Sequence, residues 1–198
     1  MTAADRENAP ESALLERARR GCTDSFSTLY HRHSGRVYRY AYEMCGNQPA
    51  AEEVTQDVFM ALLGEMDRFD AARGTLLAYL LGTARNLTYR WLRREQPFLL
   101  LEIDDDILPS AQPMAASPLT ELTKKEALEG LQRAIASLPP AYREVVVLCD
   151  LEELDYAQAA QSIGCAIGTV RSRLHRARAL LTEKWHQERR SGSMRCSA

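Results

Sequence analysis

Apolar residues recur at helical spacing along most of the chain, and no stretch shows the two-residue alternation of a half-buried strand. Leu14, Leu15 and Ala18 share one face of a first segment that opens at Pro10 and closes at Gly21. Asp24 is a candidate cap for a second segment carrying Phe26, Leu29, Tyr30, Val37, Tyr40 and Ala41, which the run Gly46-Asn47-Gln48-Pro49 stops. A third helix is expected over residues 50–66 on the stripe Val54, Val58, Ala61 and Leu62, and a fourth over residues 75–94. The pattern then lapses and resumes over residues 119–137, 141–151 and 155–185, with Pro139-Pro140 between the first two and a break at Gly164 in the last. In the gap, residues 96–118, lie four prolines and three consecutive aspartates, with an apolar patch at Phe98 to Leu101. That composition suits a tether. The expectation is an all-α chain of two small helical domains, 12–95 and 123–185, joined by a flexible acidic linker over 96–122 and followed by a disordered tail over 186–198.

Composition adds exclusions. No apolar run approaches the roughly 20 residues that span a bilayer, and residues 1–10 are polar with no signal-type apolar core. A cytoplasmic protein is expected. Five cysteines stand at wide spacing without C-x-x-C, and His31 and His33, two apart, would point about 200° apart on a helix. No metal is expected. No nucleophile–base pair and no phosphate loop of the form G-x-x-x-x-G-K occurs. No catalytic residue, cofactor or small-molecule substrate is therefore expected.

Charge changes the picture more. The formal net charge of −2 argues against a nucleic-acid binder, but its distribution does not. Residues 82–94 hold four arginines and no acid, and residues 167–178 hold four arginines, a histidine and no acid. Residues 96–122 hold five acids and neither lysine nor arginine. Two basic helices are hidden in a near-neutral total.

The last helical pair has the form of a helix-turn-helix. Asp155 can cap a short helix burying Tyr156, Ala159, Ala160 and Ile163; Gly164 suits a left-handed stop; a longer helix then buries Ile167, Val170, Leu174, Ala177 and Leu181. With Val170 inward, Arg171, Ser172, His175 and Arg176 project outward and Arg173 and Arg178 flank them. Arginine grips guanine edges bidentately, and flanking arginines suit phosphates. Cys165-Ala166 supplies no side-chain cap, so packing must hold the first turn of that helix.

In the first domain, Glu53, Gln56, Asp57 and Met60 form an outer stripe opposite the inward Val54, Val58 and Ala61. Such a stripe can pair with arginines of a partner helix around an apolar centre. The fourth helix carries Arg85, Arg90, Arg93 and Arg94, basic side chains able to hold phosphates, beside Asn86, Trp91, Tyr79 and Tyr89, polar or flat groups able to contact bases, with Asn86 favoured over the rings.

The run from Gly168 through Thr169-Val170-Arg171-Ser172-Arg173-Leu174-His175-Arg176-Ala177 to Arg178 closely resembles the domain 4 signature of extracytoplasmic-function (ECF) RNA polymerase sigma factors. Leu138-Pro139-Pro140-Ala141-Tyr142-Arg143-Glu144-Val145 resembles the start of that domain, and Ala51-Glu52-Glu53-Val54-Thr55-Gln56-Asp57-Val58-Phe59 the segment that docks on the polymerase clamp helices. Ala84-Arg85-Asn86-Leu87 and Trp91-Leu92-Arg93-Arg94 match the family's promoter-melting helix, with residues 69–74 as its base-capturing loop. The resemblance implies promoter-specific initiation: domain 2 on core polymerase and the −10 element, domain 4 on the −35 element and the polymerase flap, and inhibition by an anti-sigma factor. Departures are Tyr79 where tryptophan is usual, Arg90 where aspartate is frequent, Ala166 in place of a frequent proline, and Gly82 inside the melting helix. A LuxR-like regulator is a second helix-turn-helix reading, but its usual α/β receiver has no counterpart in residues 1–95. A stand-alone DNA binder, a helical adaptor and an enzyme are the other readings.

Overall fold

Gly21 shows how the first turn of the chain is built. The computed structural model describes residues 9–100 and 124–195. In it α1 (Glu11–Arg19) ends where Gly21 takes φ +86°, and the amides of Gly21 and Cys22 donate back to Ala18 and Arg17. That turn delivers the chain to α2 (Thr23–Cys45) with Cys22 at the N-cap. Asp24, the expected cap, lies instead in the first turn, where its carboxylate faces the positive end of the helix. Asn47 caps α3 (Gln48–Glu65), accepting from the Ala50 amide at 2.9 Å, with Pro49 in the first turn. Thr75 caps α4 (Leu76–Glu95) through the Ala78 amide at 3.2 Å.

The second half contains α5 (Lys124–Ala136), α6 (Pro140–Val146) continued by a π-helical turn over Val147–Leu151, α7 (Tyr156–Ile163) and α8 (Ile167–Arg195). All elements among the described residues are helical, as the periodicity requires. Most of the expected linker lies outside the described residues; its first part forms a 3-10 turn, Pro97–Leu100, with Phe98 exposed. The expected disordered tail is corrected: α8 continues to Arg195. Residues 183–190 include glutamate, lysine, glutamine and arginine and no proline, so intrinsic propensity carries the helix on.

Helices α1 to α4 close around Leu14, Leu29, Val37, Met44, Val58, Leu62 and Leu80, all fully buried. Helices α5 to α8 close around Leu138, Val145, Leu148, Val170 and Leu174. Each such side chain contributes roughly 1.5–3 kcal/mol on leaving water. The two units are not merely tethered. Helix α4 lies against α7, and their buried residues form one continuous apolar cluster. Arg143 of α6 reaches across, donating to the Met44 carbonyl at the end of α2 (2.6 Å) and to the Leu138 and Ala136 carbonyls of its own unit. No helix among the described residues is long and apolar enough to cross a membrane.

Candidate nucleic-acid and partner-binding faces

The short helix α7 is fixed at both ends. The Asp155 carboxylate accepts from the Gln158 amide at 2.8 Å while the Gln158 side chain accepts from the Asp155 amide at 3.2 Å, a reciprocal capping box. At the other end Gly164 takes φ +77°, and the Gly164 and Cys165 amides donate to Ala160. This geometry turns the chain into α8, whose first amides, Thr169 and Val170, bond the Ala166 carbonyl without a side-chain cap.

On α8, Val170, Leu174 and Ala177 are buried while Arg171, Ser172 and His175 are exposed. The Arg171 guanidinium lies 5.6 Å from the centroid of the Tyr156 ring, which steadies it on the rim of the turn. Arg176 is half-buried. Arg178 is exposed but clamped by Asp150 at 2.6 Å, an ion pair that raises its pKa. Arg173 departs from the expected flanking role: it is half-buried, with its Nε enclosed and unbonded.

Helix α4 fares differently. Asn86, Arg90, Arg93 and Arg94 are exposed, and Trp91 is half-buried against the core. Asn86 and Tyr79 line a groove with the loop residues Phe69 and Asp70, closed on the far side by Gln161 and Ser162 of α7. Tyr79 packs edge-on against Phe69 at 5.5 Å. Tyr89 is corrected as a base receiver: it is buried, and its hydroxyl donates to Glu144 at 3.1 Å. Arg85 is likewise engaged, its Nε 2.8 Å from the Glu144 carboxylate and its guanidinium over the Tyr89 ring.

A third face lies between α2 and α3. Phe26, Tyr30, Tyr38 and Phe59 line an open apolar groove whose α3 wall is completed by Gln56 and Met60. Met60 is 60% exposed, unusual for a thioether in so small a domain. Of the expected docking stripe, Gln56 and Met60 line the groove, while Glu53 and Asp57 are exposed beside it and Glu52 takes part instead. The sequence signal for the aromatic wall is Phe26 and Tyr30 at i, i+4, which the helical period assigns to the apolar stripe of α2, whereas Phe26 is half-buried and Tyr30 exposed. Elsewhere burial pushes the Cys45 thiol up to about 12 and the Cys149 thiol to about 11, the behaviour of packed thiols rather than reactive ones.

Comparison with known proteins decides the family. Residues 29–98 match the model for Sigma-70 region 2, and residues 128–181 that for Sigma-70, region 4. The chain is 30% identical over 146 residues to the ECF RNA polymerase sigma factor EcfG of Rhodopseudomonas palustris, covering 72% of this chain and 75% of that one. This chain belongs to the ECF RNA polymerase sigma factors. It is also 35% identical over 161 residues to SigE of Mycolicibacterium smegmatis, covering 80% of this chain; it spans only 61% of that sigma factor's length. Among solved structures, the sigma factor RpoE in complex with the anti-sigma factor NepR from Bartonella quintana aligns with TM-score 0.62 and 25% identity over 82% of this chain and 97% of that one. CnrH in complex with the cytosolic domain of CnrY shares the fold, with TM-score 0.65 and 24% identity over 87% and 95% of the two chains. In this sigma factor, region 2 therefore holds the α2–α3 groove and α4, and region 4 holds the helix-turn-helix.

Proposed function

We propose that this sigma factor directs promoter-specific initiation by core RNA polymerase and carries no catalytic residue of its own. Residues 12–95 act as domain 2 and residues 123–185 as domain 4, with residues 96–122 running between them through the polymerase. The α2–α3 groove, with Gln56 and Met60 on its wall and Glu53 and Asp57 beside it, takes the clamp helices of the largest subunit. Arg171, Ser172 and His175, with Arg176, read the −35 element in the major groove. Arg178 and Arg173 hold its phosphates once Asp150 and the enclosing side chains release them. Asn86, Arg85, Arg90, Trp91, Arg93 and Arg94 hold and melt the −10 element. An anti-sigma factor covers the same groove, as suits a fold shared with a sigma factor solved in such a complex. The protein works in the cytoplasm.

The observation that carries this reading is the coexistence, in one chain, of an exposed arginine–serine–histidine face on a capped helix-turn-helix and an open aromatic groove in the separate unit that matches region 2. Gel filtration with purified core polymerase tests it. The chain co-elutes with core, and Met60→Arg, which puts a charge into the groove, weakens that association without unfolding the chain. Absence of co-elution, with firm binding to duplex DNA by the chain alone, contradicts the reading and favours a stand-alone regulator.

A further inference from the structure

Two carboxylates of the second unit are spent on cations of the first. Glu144, fully buried on α6, receives the Arg85 guanidinium at 2.8 Å and the hydroxyls of Tyr40 and Tyr89, each at 3.1 Å. Glu152, also buried, receives Arg36 at 2.7 Å and Arg39 at 3.0 Å. Burying carboxylates is costly unless each is paired and hydrogen-bonded, and here every partner comes from the other unit.

The helix crossing is shaped for the same closure. A Cβ added at Gly82 would meet the Ser162 carbonyl at 3.3 Å, so glycine lets α7 approach the α4 backbone. The Ser162 hydroxyl lies 3.0 Å from the Ala78 carbonyl, and the Gln161 amide donates to the Arg73 carbonyl at 2.6 Å. Gly82, a liability when α4 is considered alone, is thus a contact residue. Gln161 and Ser162 line one side of the groove at whose edge the exposed Asn86 lies.

We infer that Glu144 and Glu152 form an internal clasp that closes region 4 over the middle of the strand-opening helix, so that the chain withholds Arg85 from single strands without help from a partner, while Asn86, Arg90, Arg93 and Arg94 stay exposed. This rests on the reading of α4 as the strand-binding helix. Arg85 has two mutually exclusive partners: the Glu144 carboxylate in the closed chain and a DNA phosphate in the open one. The exposed Arg171, Ser172 and His175 face stays available in both. A closed state holding most of the population reduces apparent affinity by the fraction that is open.

The test uses the full chain without polymerase. Small-angle scattering measures closure, and fluorescence anisotropy measures binding to a pool of random single-stranded DNA 12-mers. The wild-type chain scatters as a closed particle. Glu144→Gln/Glu152→Gln keeps side-chain shape and removes both charges; its radius of gyration rises by roughly 3 Å or more, and its single-strand affinity rises about tenfold. Ser162→Leu, which wedges the crossing from the α7 side, gives the same two shifts without touching either carboxylate. Circular dichroism verifies that each variant keeps its helices. An open wild-type chain, or variants that open without gaining single-strand affinity, overturns the inference. A chain that opens and gains affinity in both variants yet fails to bind core polymerase keeps the clasp and loses the initiation role.

Discussion

Helices α4 and α8 carry equally basic stretches, four arginines in residues 82–94 and four in residues 167–178, yet the structure gives those charges different work. On α8, the inward stripe of Val170, Leu174 and Ala177 leaves Arg171 and His175 turned to solvent. On α4, the arginine nearest the middle of the helix faces the other unit and is held by a buried glutamate. The difference teaches that charge density along a helix shows capacity, while the residues packed against it determine which capacity is free. The engagement is local in both helices: Arg90, Arg93 and Arg94 of α4 stay exposed beyond Arg85, and on α8 Arg178 is paired with Asp150 while Arg171 is not buried.

The sharpest way to break this comparison is to ask whether the two units unfold as one. Leu174→Ala and Leu80→Ala each remove a buried side chain and cost about 2–5 kcal/mol. With the clasp closed, either variant shifts a single shared denaturant transition, followed by circular dichroism. Two transitions, each moved by one variant only, would mean the units are independent. At the next magnitude, Arg171→Ala weakens holoenzyme binding to a duplex carrying the −35 element by about 1–3 kcal/mol. Arg85→Ala leaves that binding alone and loosens closure instead. Equal losses in the duplex assay would erase the distinction between the helices.

The smallest effect concerns an ion pair within the first unit. Glu11 accepts from His33 Nε2 at 2.7 Å, and that bond holds its carboxyl below the ordinary value of 4.5. A lowered carboxyl pKa contributes stability that is present above the ordinary value and is lost as pH falls through the lowered one. Glu11→Gln therefore flattens the acid limb of the stability profile by at most about 1 kcal/mol, since the pair is partly exposed. It leaves the interface between the units unchanged. Glu144 has the opposite sign: burial raises its carboxyl pKa, against the pull of Arg85 and two tyrosine hydroxyls.

Much of this was legible in the residues. The helical period, the stop at Gly46 and the Asp155 to Gly164 frame follow from local chemistry and appear in the structure, whereas Asn47 and Thr75 prove to be N-caps that the sequence reading did not single out. The outward set Arg171, Ser172 and His175 follows from counting 100° per residue from Val170. What could not be read depends on which helix meets which. Glu144 sits immediately before the apolar run Val145 to Leu148, and an acid beside such a run signals a buried partner, but Tyr40, Arg85 and Tyr89 lie 55 to 104 residues away. Gly82 looked like a weak point because its contact is a backbone carbonyl of another unit. Tyr89 looked like a base receiver because an exposed ring and a buried one have the same letter.

The measurement that tests the central claim most directly is run-off transcription by purified core polymerase on a pool of genomic promoters, with and without this chain. The account predicts promoter-dependent transcripts that require the wild-type protein, weaken with Arg171→Ala/Arg176→Ala and share a common −35 sequence. Transcripts that are the same with and without the protein, in a reaction where another sigma factor activates the same core, would contradict it.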